Sequence, residues 1–88
     1  MKNIQEISKL VKNLHTEAEI EAFFNELLTK SEIDTLSKRW RIINMLNEGI
    51  TQREIAKELQ VSLCKVTRGA KILKDKDSIL AKYLIKCK

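Results

Sequence analysis

At 88 residues and 10.2 kDa, the chain has room for one small domain with a modest core. That excludes a second domain and makes oligomerisation a useful cover for apolar surface. A hydrophobic content of 43% excludes a disordered chain, and the absence of proline beside only two glycines, Gly49 and Gly69, argues for helices with short connections. The net charge of +5 is unevenly divided, with four Lys against seven acids in residues 1–34 (net −3) and thirteen Lys or Arg against five acids in 35–88 (net +8). A basic half of this kind suits a phosphate-bearing partner.

Taken in chain order, Ile4, Ile7, Leu10, Val11 and Leu14 recur at helical spacing and predict an amphipathic helix over 3–14. Thr16 with Glu19 is a capping box opening a second helix with Ile20, Phe23, Phe24, Leu27 and Leu28. That helix is apolar on most of its circumference and must be covered on most sides, for which a second subunit is the natural candidate. Thr29 with Glu32, or Ser31 as the cap, opens a third and longest helix. Ile33, Leu36, Trp40, Ile43 and Leu46 trace one of its faces, with Ile42 and Met45 widening it. Trp40 is expected in the core. Gly49 ends the helix, free to take a positive φ.

Thr51 with Glu54 is a further capping box, opening a short helix over Gln52–Leu59 that buries Ile55 and Leu59. Gln60 and Val61 make a turn. If that turn needs left-handed backbone, glutamine costs roughly 1 kcal/mol there. Ser62 caps a basic helix through Val66, Ile72 and Leu73, and Asp77 or Ser78 starts a last helix with Ile79, Leu80, Tyr83 and Leu84. Six helices and no strand signal make the fold class all-α.

Two short helices joined by a tight turn over 51–69, the second basic and opened by serine, have the layout of a helix-turn-helix. At the exposed start of the second helix, Ser62, Leu63, Cys64, Lys65 and Thr67 are placed to meet DNA. Leu63 and Cys64 suit a thymine methyl, Lys65 a guanine acceptor and Thr67 either. Gln52, Arg53 and Lys57 on the preceding helix are phosphate or edge contacts, and Lys71 and Lys74 touch phosphate. Cys64 and Cys87 are too few and too isolated for a disulfide framework or a zinc site, so a reduced chain is expected. His15, at a helix junction, has no second histidine to form a metal site with. Glu17, Glu19 and Glu21 complement a helix dipole and are not a catalytic pair. No nucleophile–base set or phosphate loop is present, so neither catalytic nor metal-ligating residues are assigned. No apolar run approaches a membrane span and no signal-peptide core opens the chain, so a cytoplasmic location without membrane contact is expected.

The stretch 28–74 resembles the bacterial Trp repressor family. Three blocks carry the resemblance: Leu28, Thr29 and Glu32 followed by Leu36, Arg39, Arg41 and Ile42; Thr51 to Glu54 (TQRE); and Thr67, Arg68 and Gly69 (TRG) followed by Leu73 and Lys74. The resemblance implies an all-helical, intertwined homodimer in which the N-terminal helices of both subunits share one core. One domain over 1–88 is then divided into dimerisation helices (1–49), a DNA-reading head (51–74) and a C-terminal helix (77–88).

The resemblance also implies L-tryptophan as corepressor ligand, with no other cofactor. Arg39 and Arg68 match the two arginines that flank the indole and attract the carboxylate, a task suited to a planar, permanently charged group. Leu28 and Thr29 match the segment of the other subunit whose carbonyls receive the ammonium, and Gly69 the glycine that lets the ligand approach the recognition helix. Ile72 stands where the founding member has a serine that helps hold the amino group, a loss on the order of 1 kcal/mol. Lys65 replaces a smaller polar residue near the pocket wall.

The function implied is a repressor that binds double-stranded operator DNA and controls genes of tryptophan synthesis or uptake. The residues leave open a relative that does not answer to tryptophan, or a helical module whose basic half binds an acidic protein.

Overall fold

A computed structural model describes residues 2–86. Cys87 and the end of the expected 77–88 helix lie outside the described residues. Those described are helical with short connections: α1 (Lys2–Lys12), α2 (Glu17–Leu27), α3 (Lys30–Asn47), α4 (Gln52–Leu59), α5 (Leu63–Lys74) and α6 (Ile79–Lys86). The chain forms two compact units, 1–34 and 35–88, with the division inside α3. It falls where the charge changes sign.

In the first unit, capping bonds do much of the specifying. α1 stops at Lys12, two residues before the expected end, where the N–H groups of Asn13 and Leu14 turn back to the carbonyls of Leu10 and Val11 at 3.0 Å each. At α2 the Thr16 hydroxyl accepts from Glu19 N at 3.1 Å. The Glu19 carboxylate in turn accepts from the N–H groups of Thr16 (3.2 Å) and His15 (3.0 Å). The third helix is capped by Thr29 and not by Ser31: Glu32 N donates to the Thr29 hydroxyl at 3.2 Å, and Thr29 N donates to the Glu32 carboxylate at 2.9 Å. Phe23 and Phe24 pack ring to ring at 5.2 Å on α2. Yet no described residue of this unit is buried; Ile4 is 66% exposed and Leu27 55%.

The second unit holds the core. Ile42 and Met45 of α3, Ile55 of α4 and Val66 of α5 form a buried cluster, with Leu46, Ile50, Ala56, Leu59 and Val61 packed against it. Ile55 and Val66 are fully enclosed. On α3 the expected face is buried at Ile43, and Leu46 packs against the cluster beside its expected widening at Ile42 and Met45, while Leu36 stays largely exposed. Trp40 is half-buried and sets its ring 6.0 Å from that of Tyr83 on α6.

Gly49 ends α3 at φ 91°, as expected. Its N–H bonds to Leu46 O at 3.0 Å and Ile50 N to Met45 O at 3.1 Å, which together make a Schellman motif. Gln60 has φ 56° and ψ 49°, so the turn does need the left-handed conformation. The N–H groups of Gln60 and Val61 both reach Ala56 O. α6 starts after Ser78, whose hydroxyl accepts from Ala81 N at 3.2 Å.

Candidate nucleic-acid interface and ligand cavity

The helix-turn-helix is built from α4 and α5, and its caps fall at the expected threonine and serine. Thr51 accepts from Glu54 N at 3.2 Å and Ser62 from Lys65 N at 3.4 Å. Ile55 and Val66 lock the two helices together from inside. The polar residues are thereby left outside. Arg53, Lys57, Ser62, Leu63, Cys64, Lys65, Thr67, Lys71 and Lys74 are all exposed, and Gln52 is half-buried. Leu63, 48% exposed, stands clear of the core. Together with Cys64, Thr67, Arg68 and Lys71 it lines an open groove along α5.

Two of these residues also meet each other. The Thr67 hydroxyl lies 3.0 Å from Leu63 O and 3.2 Å from Gln52 Oε1, with one proton to share between the two acceptors. This polar contact bridges α4 and α5 and steadies the glutamine. The two amide N–H groups of Gln52 remain to donate to an outside acceptor such as a phosphate oxygen or a base edge.

A second hollow, about 180 Å³ in volume, lies between α3 and α5. Arg39, Ile42 and Ile43 form its α3 side, and Lys65, Arg68, Gly69 and Ile72 its α5 side. Each set follows helical spacing, i, i+3, i+4 on α3 and i, i+3, i+4, i+7 on α5, so each presents one face. Of the six residues expected at a ligand site, Arg39, Arg68, Gly69 and Ile72 converge here. Leu28 and Thr29 belong to the other unit, where they end α2 and cap α3.

Ile42 and Ile43 were not foreseen as walls, although they follow Arg39 at the spacing that could have shown it. Lys65, expected both at a base edge and near the pocket wall, lines this cavity with the two arginines. Arg68 lines both the cavity and the open groove.

Gly69 does more than make room in the cavity. A Cβ at this position would sit 2.8 Å from Ile42 Cγ2, 3.4 Å from Leu46 Cδ1 and 3.6 Å from Ile43 Cγ1. The bare backbone is what allows α5 to lie so close to α3. Chemically the hollow offers apolar walls, three cations and, among the described residues, no lining acid. That combination suits a flat apolar body bearing an anionic head.

The family model described as Trp repressor protein matches residues 2–87. A Trp operon repressor homolog of Xylella fastidiosa is 50% identical over 50 residues, covering 56% of this chain and 54% of that protein. The chain thus spans about half the length of those relatives. Matches to the Trp operon repressor homologs of Chlamydia are longer. That of Chlamydia trachomatis is 36% identical over 78 residues (88% of this chain, 83% of the relative), and that of Chlamydia caviae is 34% identical over 77 residues (86% and 76%). No solved structure matches the chain.

Proposed function

The chain belongs to the Trp repressor family, and on that premise we propose that it is a sequence-specific DNA-binding repressor whose hold on its operator is set by L-tryptophan. The family is one of transcriptional regulators and not of enzymes. The observation that carries the reading is the gathering of Arg39, Arg68, Gly69 and Ile72 around one apolar cavity. Its α5 wall belongs to the helix that also exposes Leu63, Cys64, Thr67 and Lys71. A ligand clamped between the arginines would fix α5 against α3 and so fix the pose of the reading head.

In this reading α5 enters the major groove in the docking geometry known for the family's helix-turn-helix. Lys65 and Thr67 reach base edges, and Lys71 and Lys74 hold phosphate. A homodimer supplies two heads, and a second copy covers the apolar faces that leave 1–34 without a buried residue among those described. Leu28 and Thr29 of one subunit then receive the ligand's ammonium beside the arginines of the other. The genes controlled are those of tryptophan synthesis or uptake. No helix among the described residues is long and apolar enough to cross a membrane, in keeping with a regulator that works on the chromosome in the cytoplasm.

Selection from a pool of random duplexes, with and without L-tryptophan, tests the proposal. A two-fold-symmetric site is expected, with half-sites one helical turn (about 34 Å) apart, enriched with the amino acid present and bound steeply less well as salt rises. Recovery of no preferred sequence in either condition would sink it.

A further inference from the structure

We propose that Thr67 is a positioning residue that fixes which way round Gln52 meets the operator. By holding the amide oxygen inward it makes Gln52 a donor-only reader, one that takes a hydrogen-bond acceptor of the duplex and does not form the paired contact with adenine. The inference rests on the reading of α4 and α5 as a DNA-binding head and goes beyond it by naming what one contact selects.

Gln52 is the first residue of α4, and Thr67 lies one turn into α5 after Leu63. The fully enclosed Ile55 and Val66 pack the two helices together, and the pair inherits that fixed spacing. The Thr67 hydroxyl stands 3.2 Å from Gln52 Oε1, fifteen residues away in sequence, and 3.0 Å from Leu63 O on its own helix. A threonine bonded back to the carbonyl four residues earlier has its stiff χ1 held in one rotamer. The hydroxyl is thus anchored, and the longer glutamine side chain conforms to it. Gln52 is half-buried, while Thr67 is exposed and lines the open groove along α5. The contact therefore lies on the side that carries the expected DNA-facing residues.

A glutamine amide has one acceptor oxygen and two N–H donors. With Oε1 facing Thr67, the outward side of Gln52 is its NH2 group. Phosphate oxygens, N7 and O6 of guanine and O4 of thymine all accept from such a group. Adenine is different. Glutamine reads it with both ends of the amide, the oxygen accepting from N6 and the nitrogen donating to N7. An inward oxygen withdraws the first of these bonds and leaves the amide N–H groups facing the N6 amine, donor against donor.

The test is selection from random duplexes, with L-tryptophan present, for the wild type, Gln52→Ala, Thr67→Val and Thr67→Ser. Affinities of these and of the Gln52→Ala/Thr67→Val double variant are then measured on the wild type's selected duplex at fixed salt. None of the changes touches Ile55 or Val66. Loss of preference at one position in Gln52→Ala marks a base acceptor, and a loss of affinity alike on every duplex marks phosphate; both fit a donor-only Gln52. In either case Thr67→Val is expected to weaken binding at least about threefold less in the Gln52→Ala background than in the wild type. Thr67→Ser, which keeps the hydroxyl, is expected to stay close to the wild type. Where the position read is an A·T pair, the wild type's advantage over Gln52→Ala is expected to survive exchange of the adenine for purine, which lacks the N6 amine. Losses that simply multiply, an advantage that vanishes with the N6 amine, or Thr67→Ser as weak as Thr67→Val would each overturn the proposal. A wild type that selects no sequence brings down the DNA-binding reading and this one with it; a selected sequence with independent losses overturns this one alone.

Discussion

Gly69 shows how one missing side chain sets the distance between two helices. In a helix interior alanine is normally favoured over glycine by about 1 kcal/mol, and on that ground Gly69→Ala would stabilise the chain. The 2.8 Å approach to Ile42 Cγ2 reverses the sign, because Ile42 is itself buried and its branched side chain has little freedom to move. Overpacking of this kind costs typically 1–3 kcal/mol, so Gly69→Ala is expected to be destabilising by about 1 kcal/mol net. Urea denaturation measures it; a midpoint equal to or above that of the wild type would show that α3 and α5 can separate freely. Arg68 lines two surfaces at once, the ligand cavity and the groove along α5. In the proposed mechanism it therefore carries the ligand's presence to the DNA-facing side.

Among the elements, the turn between α4 and α5 carries a cost that its sequence allows to be removed. Gln60 holds a left-handed conformation with its side chain exposed, so replacing it by glycine forfeits no packing. Gln60→Gly is expected to stabilise the protein by about 0.5–1 kcal/mol, since the relief of left-handed strain exceeds glycine's greater unfolded-state freedom. For a domain of this size that is a rise of about 4 °C in melting temperature. A lower melting temperature would mean that the glutamine side chain has work to do in the turn.

The helix starts were legible because each depends on a short-range bond. Thr16, Thr29, Thr51 and Ser62 each present an oxygen to an N–H three residues on, a pattern that sequence spacing states directly. α4 was legible to its last residue. Which part of the wide apolar face of α3 is buried was not, because only contact with α4 and α5 selects Ile42, Met45 and Leu46 over Leu36. Lys65 carries two expectations, a base edge from its place near the start of the recognition helix and the pocket wall from the family resemblance, and its helical phase with Arg68 and Ile72 puts it on the cavity's α5 side. Arg39 and Arg68 were found through the family resemblance, and spacing along separate helices could not have paired them.

For the molecule as a whole, the division of charge and the division of burial coincide. Residues 1–34, net acidic, bury nothing among those described, while 35–88, net basic, contain the buried core, the helix-turn-helix and the cavity. An apolar unit without a core of its own matches the proposed dimer, whose shared helices would let the two basic heads act together on one stretch of duplex. The central claim is that ligand occupancy governs that action. Its most direct measurement is the affinity of the chain for its selected duplex at fixed salt, titrated with L-tryptophan. The account predicts an affinity that rises at least about tenfold, the scale of a typical allosteric coupling, and saturates; an affinity indifferent to tryptophan at every concentration would contradict it.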